Sequence, residues 1–469
     1  MTTPDSSAGY NSADAAITAV SPSEEFSSST LAREDLSTIT PVRVEERISA
    51  LDTIRGFGLL GILLMNICGF GLPGPAYDNP VPAGGATGRN LLIWCFTTIF
   101  ADGKMRAIFS MAFGASVYLL VDRLSRKGAA ADAADIHYRR MLWLLLFGIL
   151  HAYLVWHGDI LFYYAVMGLA LYPLRKLSPR ILLIAAGIML LVMVGSGVRD
   201  HLHNLSLQRE YEQVQTDEKA GKKLTAAEEE SKKEWEDTLK LYFPPAEDLK
   251  EDTDAHRNGY FKLVAFRAKH VYELHRRPIY MPWWYDVLAM MLVGMALLKL
   301  GVLTGSYSTK FYVWMALLSF AIGLPIDTWS VWSAVKGHFS MDSWVPNITT
   351  YEIGRCTALG YIAVILLVIK SGKFQAVTRT LASVGRTAFS NYILTSLICV
   401  TIFNGSGFGL FNKLQRYQLY AIVLGVWLVI LIVSPIWLRY FRFGPLEWMW
   451  RSLTYWKRQP FRIRERAAA

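Results

Sequence analysis

The chain has 469 residues, of which 53% are hydrophobic and only 18% charged, with a mean hydropathy of +0.27. A soluble chain of this length divides into two or three domains with more charge, so these proportions exclude an ordinary soluble enzyme. The net charge of +10 sits in short connections between apolar runs, without zinc-finger spacing or a basic helix facing water, which excludes a nucleic-acid partner.

Residues 1–42 are rich in Ser, Thr, Ala and Asp, lack an apolar period and read as a disordered cytoplasmic arm. From there the chain divides into a first membrane half (43–198), an extracytoplasmic hydrophilic insert (199–280), a second membrane half (281–440) and a cytoplasmic interfacial helix with a basic tail (441–469). The expected fold class is all-α: a polytopic membrane protein of about ten transmembrane helices, each near the twenty residues that span roughly 30 Å of hydrocarbon. The spans fall at about 50–71, 91–121, 139–157, 160–177, 181–198, 284–303, 310–329, 351–370, 387–405 and 418–438.

The first span is unusually polar. Asp52, Arg55, Leu59 and Asn66 share one helical face and carry a polar seam into the membrane. Charges at such depth face the protein interior, pair with each other and mark a pathway or a site. The second span is too long for one upright crossing, and Asp102-Gly103-Lys104 interrupts it. A half-helix before a span beginning at Lys104 fits, because broken membrane helices occur where protein or a wet cavity surrounds them. Lys104 and Arg106 beside this break suit phosphate groups, and interfacial snorkelling explains them equally well.

The third span carries Gly148 and His151 and closes on His157-Gly158-Asp159. His151 falls near the bilayer centre, and imidazole is suited to acid–base work near neutral pH. Asp159 lies eight residues on, so a direct His–Asp bond requires the chain to turn at Gly158. A buried histidine bonded to a neighbouring helix is the competing reading. In the insert, Glu and Lys mix through 211–240 as charged amphipathic helices. The irregularly spaced His201, His203, His256, His270 and His275 read as solvated surface rather than metal ligands, and no metal site is expected.

Beyond the insert, Asp286 and Glu352 open two spans and suit pairing with Arg355. The ninth span opens on Gly385-Arg386-Thr387-Ala388-Phe389-Ser390-Asn391-Tyr392, whose polar groups, Asn391 among them, must be packed by protein. After the tenth, Pro445 with Trp448 and Trp450 marks an interfacial helix, in which Glu447 suits a helix cap or a basic partner. The four cysteines lie in apolar runs and form no CxxC pair. Twenty-five Lys and Arg flank the spans on the side of the amino terminus, against Arg89, Lys336, Lys413 and Arg416 in the short opposite loops. The positive-inside rule then makes both termini cytoplasmic.

The segments LDTIRGFGLLGILLMN, LLLFGILHAYLVWHGDILFYYAVMGL, GRTAFSNYILTSL and GPLEWMWRSLTY, from about Arg47 to Tyr455, resemble the YeiB-like family of bacterial inner-membrane proteins, domain of unknown function 418. That family is related to the transmembrane acyltransferases. The resemblance implies a bundle in which cytoplasmic acyl-CoA, acetyl-CoA first among donors, acylates an extracytoplasmic or membrane-embedded small molecule or glycan. Several branches carry a histidine in or just beyond the first helix. This chain has Asn66 there and no histidine before His137, which makes His151 the substitute, as general base or acyl carrier.

On that reading Asp159 orients His151 or binds the acceptor. Arg55, Lys104 and Arg386 meet the CoA phosphates, while Asp52, Asn66, Asn391 and Glu447 form the structural polar seam. The expected partners are the acceptor and the lipid bilayer, with a homodimer as an option, in the bacterial inner membrane. The alternative is a small-metabolite transporter or exporter without acyl chemistry, suggested by five spans on each side of the insert. A scaffold or sensor, whose polar residues only fix packing, is a third.

Overall fold

The computed structural model of the chain describes residues 49–126, 128–129, 132–276, 282–344 and 351–463. The amino-terminal arm read over 1–42 lies outside the described residues. Among the described residues every regular element is helical, apart from one isolated bridge between Phe441 and Arg462.

At the centre stands α1 (Ser49–Gly71), and we call the end of the bundle where it begins basal and the opposite end apical. α2 (Gly88–Phe100) lies on the apical side and turns through Ala101, Asp102 and Gly103 into α3 (Lys104–Arg126), which descends to the basal end. The expected break is therefore present. α4 (Asp132–Leu154) rises, and α5 (Leu161–Leu174) returns beside it. α6 (Pro179–Lys219) leaves the bundle as one continuous helix and runs on into the insert.

The insert continues with α7 (Ala226–Tyr242), α8 (Ala246–Arg257) and α9 (Tyr260–Arg276). The second half holds α10 (Pro282–Lys299), α11 (Thr309–Lys336), α12 (Thr357–Ser371), α13 (Gln375–Arg386), α14 (Ala388–Phe403), α15 (Arg416–Tyr440) and the short α16 (Pro445–Thr454).

This is a multi-pass helical membrane protein, as expected. Six helices among the described residues are long and apolar enough to cross a bilayer, counting α2 with α3 and running the fifth from Tyr351 to Ser371. α13 and α14, bent by 82°, make a seventh if taken together. Physical reasons separate the others. α4 carries Asp132, Asp135, Arg139 and Arg140 along its first turns, and α5 has only 14 residues. α10 buries Val287, Met291, Leu292 and Met295 within the bundle against α3 and α6 rather than offering them to lipid.

α1 is packed by α3, α13, α14 and α15. Its contact with α13 is a backbone approach. A Cβ built on Gly385 would lie 2.8 Å from the Asp52 carbonyl carbon, and one on Gly56 would lie 3.0 Å from Gly385 N. Small residues admit such crossings, where van der Waals packing holds helices together in lipid.

The insert folds back as a cover over the apical end. Its histidines are not all solvated, contrary to their irregular spacing: His201 and His256 are buried. His256 stacks on Phe411 at 3.9 Å, because Arg257 next to it donates from Nε and Nη2 to the Phe411 carbonyl at 2.9 and 2.7 Å. α9 is tied to the top of α4 by the Tyr260 hydroxyl, which donates to Leu154 O at 2.9 Å.

Candidate active site between two cavities

The α4–α5 connection brings the two expected chemical groups together. α4 ends at Leu154 and the chain turns through residues 155–160, so His151 Nδ1 lies 2.8 Å from Asp159 Oδ1. The second carboxylate oxygen accepts the Phe162 N–H at 2.7 Å, which fixes the first turn of α5. Both side chains are almost fully buried, at 1% and 0% exposed. With Nδ1 facing the carboxylate, the ring directs Nε2 away from it, and that nitrogen has no hydrogen-bond partner among the described residues. This is the arrangement of a base with an orienting acid.

Two glycines allow the turn. A Cβ on Gly148 would stand 2.7 Å from Phe162 Cα and 2.9 Å from the Leu161 carbonyl carbon, so only glycine lets α4 meet the start of α5. At Gly158 a Cβ would overlap the Trp156 ring. The turn expected at Gly158 is therefore present.

A basal cavity of about 200 Å³ reaches from the start of α1 to Ile160, Leu161 and Tyr164. Arg55, Arg123, Arg140, Arg386 and Arg451 line it, opposed by Asp52 and Glu447. Both carboxylates are engaged. Arg55 Nη1 donates to Asp52 Oδ1 at 2.8 Å, while Nη2 meets Ser116 Oγ at 2.5 Å. Glu447 Oε1 accepts the Phe389 and Ser390 N–H groups at 2.7 and 3.1 Å, so it caps α14. The Arg140 guanidinium lies 4.0 Å over the Trp450 ring. The cavity thus has an excess of positive charge, suited to phosphate or another multiply charged anion.

An apical cavity of about 610 Å³ lies on the other side of the dyad, lined by Asn66, Asp102, Arg106, His157, Asp159 and Tyr351 among others. Arg106 Nη2 pairs with Asp286 Oδ2 at 3.1 Å, and Arg355 pairs with both Asp286 and Glu352. Tyr351 donates to Asp102 Oδ1 at 3.2 Å. The expected pairing of Asp286 and Glu352 with Arg355 is present. α9 borders this cavity. Its His275 stacks on Phe162 at 3.7 Å, and burial holds that imidazole below the usual 6.5, with Asp159 opposing the shift.

The structure gathers Arg55 and Arg386 at the basal cavity, and Asp52 and Glu447 beside them. It does not bring Lys104 there. Lys104 opens α3 at its apical end, about 28 Å along the helix from Arg123, where its ammonium pairs with Asp327 Oδ1 at 3.0 Å. Asn66 lines the apical cavity, so the seam along α1 runs from one cavity to the other. Asn391 Nδ2 donates to Ser434 Oγ at 2.9 Å and Thr387 Oγ1 at 3.0 Å, tying α14 to α15.

Arg123, Arg140, Arg451 and Tyr392 also line the basal cavity, although none was expected at the site. Their position beside apolar spans was visible, but their convergence depends on packing between distant helices. No group of His, Cys, Asp or Glu suited to a metal occurs among the described residues.

A family profile described as "Protein of unknown function (DUF418)" matches residues 297–457. The chain is 32% identical over 418 residues to the uncharacterised protein YeiB of Escherichia coli (strain K12), across 87% of this chain and 96% of that one. It is 26% identical over 457 residues to the uncharacterised protein YxaH of Bacillus subtilis (strain 168), across 91% of this chain and 98% of that one. No solved structure matches it.

Proposed function

This chain belongs to the YeiB-like family, domain of unknown function 418, and from that premise we propose that it is a transmembrane acyltransferase using acyl-CoA. One observation carries the reading. A buried His–Asp dyad has its Asp159 in the lining of a polar cavity at one end of the bundle, and the next residue, Ile160, lines both that cavity and a cationic one at the other end.

The basal end is the cytoplasmic one on the positive-inside rule, and the membrane is the bacterial inner membrane. At about 200 Å³ the basal cavity is smaller than the ~300–1,000 Å³ of a site that encloses a whole drug-sized ligand. It therefore receives the thioester end of acyl-CoA, with acetyl-CoA the simplest donor, while Arg55, Arg386 and their neighbours meet the phosphates. The acceptor, a small molecule or glycan bearing a hydroxyl or amine, occupies the apical cavity.

His151 Nε2 takes the acceptor proton as the acceptor attacks the thioester carbonyl. The C–S bond breaks, and the leaving thiolate takes the proton from the imidazolium. Asp159 holds the ring in the tautomer that leaves Nε2 free and stabilises its charged form. The other route has Nε2 itself carry the acyl group between the cavities.

The test is incubation of purified protein with labelled acetyl-CoA and crude membrane acceptors. Native protein transfers label and releases free thiol, while His151→Ala does neither at equal expression and equal thermal stability. Transfer unchanged in His151→Ala refutes the role of the histidine. Two cavities at opposite ends with a thin wall also fit a transporter of a small metabolite. Solute flux in proteoliposomes without acyl-CoA, insensitive to His151→Ala, favours that reading.

A further inference from the structure

Resting on the acyl-transfer reading, we propose that Tyr392 is a positioning residue that latches the Gly158–Ile160 segment, holding Asp159 against His151 and closing the wall between the two cavities. Residues 155–160 lie between α4 and α5; Val155 and Trp156 still donate to His151 O at 2.8 and 2.9 Å, whereas the N–H groups of residues 157–160 form no backbone hydrogen bond among the described residues. The Ile160 N–H stands at the helix start, where donors have no partner within the helix. It donates to the Tyr392 hydroxyl at 3.1 Å, and that hydroxyl in turn donates to Gly158 O at 3.4 Å. A phenol can do both at once. One side chain from α14 thus holds the backbone on both sides of Asp159.

The same residue is part of the wall. Tyr392 is buried and lines the basal cavity, while Gly158 and Asp159 line the apical one and Ile160 lines both. Its ring lies 5.1 Å from that of His151. Rotation of the tyrosine side chain would release both hydrogen bonds and withdraw the ring, so the two cavities would meet at the dyad. Direct attack of an apical acceptor on a basal thioester needs such an opening.

The experiment uses the full chain with its four cysteines replaced by serine and Asn66→Cys placed in the apical cavity. It is reconstituted in sealed vesicles and treated with a membrane-impermeant maleimide from the basal side. With Tyr392 intact the cysteine is labelled only slowly. Tyr392→Phe, which keeps the ring and loses the hydroxyl, is expected to raise labelling about tenfold, and Tyr392→Ala to raise it further. Equal labelling in all three, or ready labelling with Tyr392 intact, overturns the latch.

On the native cysteine background, Tyr392→Phe should lower kcat for acyl transfer about tenfold with the KM for acetyl-CoA unchanged. A change confined to KM also overturns it. Labelling that depends on Tyr392 in a protein that transfers no acyl group would support the latch and refute the acyltransferase.

Discussion

Replacing Gly148 by alanine tests the dyad without touching a polar atom. The new methyl group would lie 2.7 Å from Phe162 Cα, where ordinary contact begins at 3.4 Å, and the obstructing atoms are backbone. α4 and α5 must therefore separate by about 1 Å, and such overpacking costs about 1–3 kcal/mol. The separation acts on the His151–Asp159 contact, which at 2.8 Å leaves little room before a hydrogen bond weakens. A misplacement of that size at a reacting group costs about a hundredfold in rate.

The expected outcome is a lower thermal midpoint in detergent together with acyl transfer reduced about a hundredfold. Gly195→Ala in α6 is the control, because nothing lies within 4 Å of its built Cβ. It should be neutral or stabilising by up to about 1 kcal/mol. Native stability and native transfer in Gly148→Ala would refute the claim that this close approach sets the dyad.

Glu447→Leu should destabilise the chain by about 1.5–3 kcal/mol, since it removes the buried oxygen that accepts the Phe389 and Ser390 N–H groups; an unchanged midpoint in thermal unfolding would speak against the cap. Lys104→Met leaves Asp327 buried without its cation and should cost about 3–5 kcal/mol, while adding Asp327→Leu should recover most of it. Equal losses in single and double variants would show that the pair is not coupled. Because burial holds His275 below the usual 6.5, the docked insert keeps it neutral, whereas the undocked insert protonates it more readily. Stability is then full above that ordinary value and falls as pH drops through it toward the lower folded value. His275→Phe should lessen, without abolishing, the fall in thermal midpoint from about pH 8 to about pH 5, because burial also lowers His270 on the same helix.

The residues that announced themselves in the sequence did so through cost. A carboxylate and a guanidinium in α1, and a histidine in the third apolar run, are expensive in hydrocarbon, and each borders or forms part of the site. Asp102-Gly103 foretold the break between α2 and α3 for the same reason. What the sequence withheld was the depth of each crossing and the convergence of distant groups. Runs at α5 and α10 are as apolar as spans, yet the bundle, not lipid, surrounds much of their surface, and composition does not distinguish the two. Lys104 looked like a companion of Arg55 and Arg386 because charge alone carries no address, whereas its position at the far end of α3 pairs it with Asp327.

The bend between α13 and α14 explains how one short segment supplies both the donor cavity and its wall. On a straight helix Arg386 and Tyr392, six residues apart, would point about 120° away from each other. The 82° break at Thr387 lets both line the basal cavity. Such a break leaves the first N–H groups of α14 without helical partners, and Glu447 supplies them from α16. A residue near the end of the chain thus fixes the angle of α14. α14 places Tyr392 against the turn that holds Asp159, and Asp159 orients His151. The dyad belongs to the first half of the chain, and the support that holds it belongs to the second.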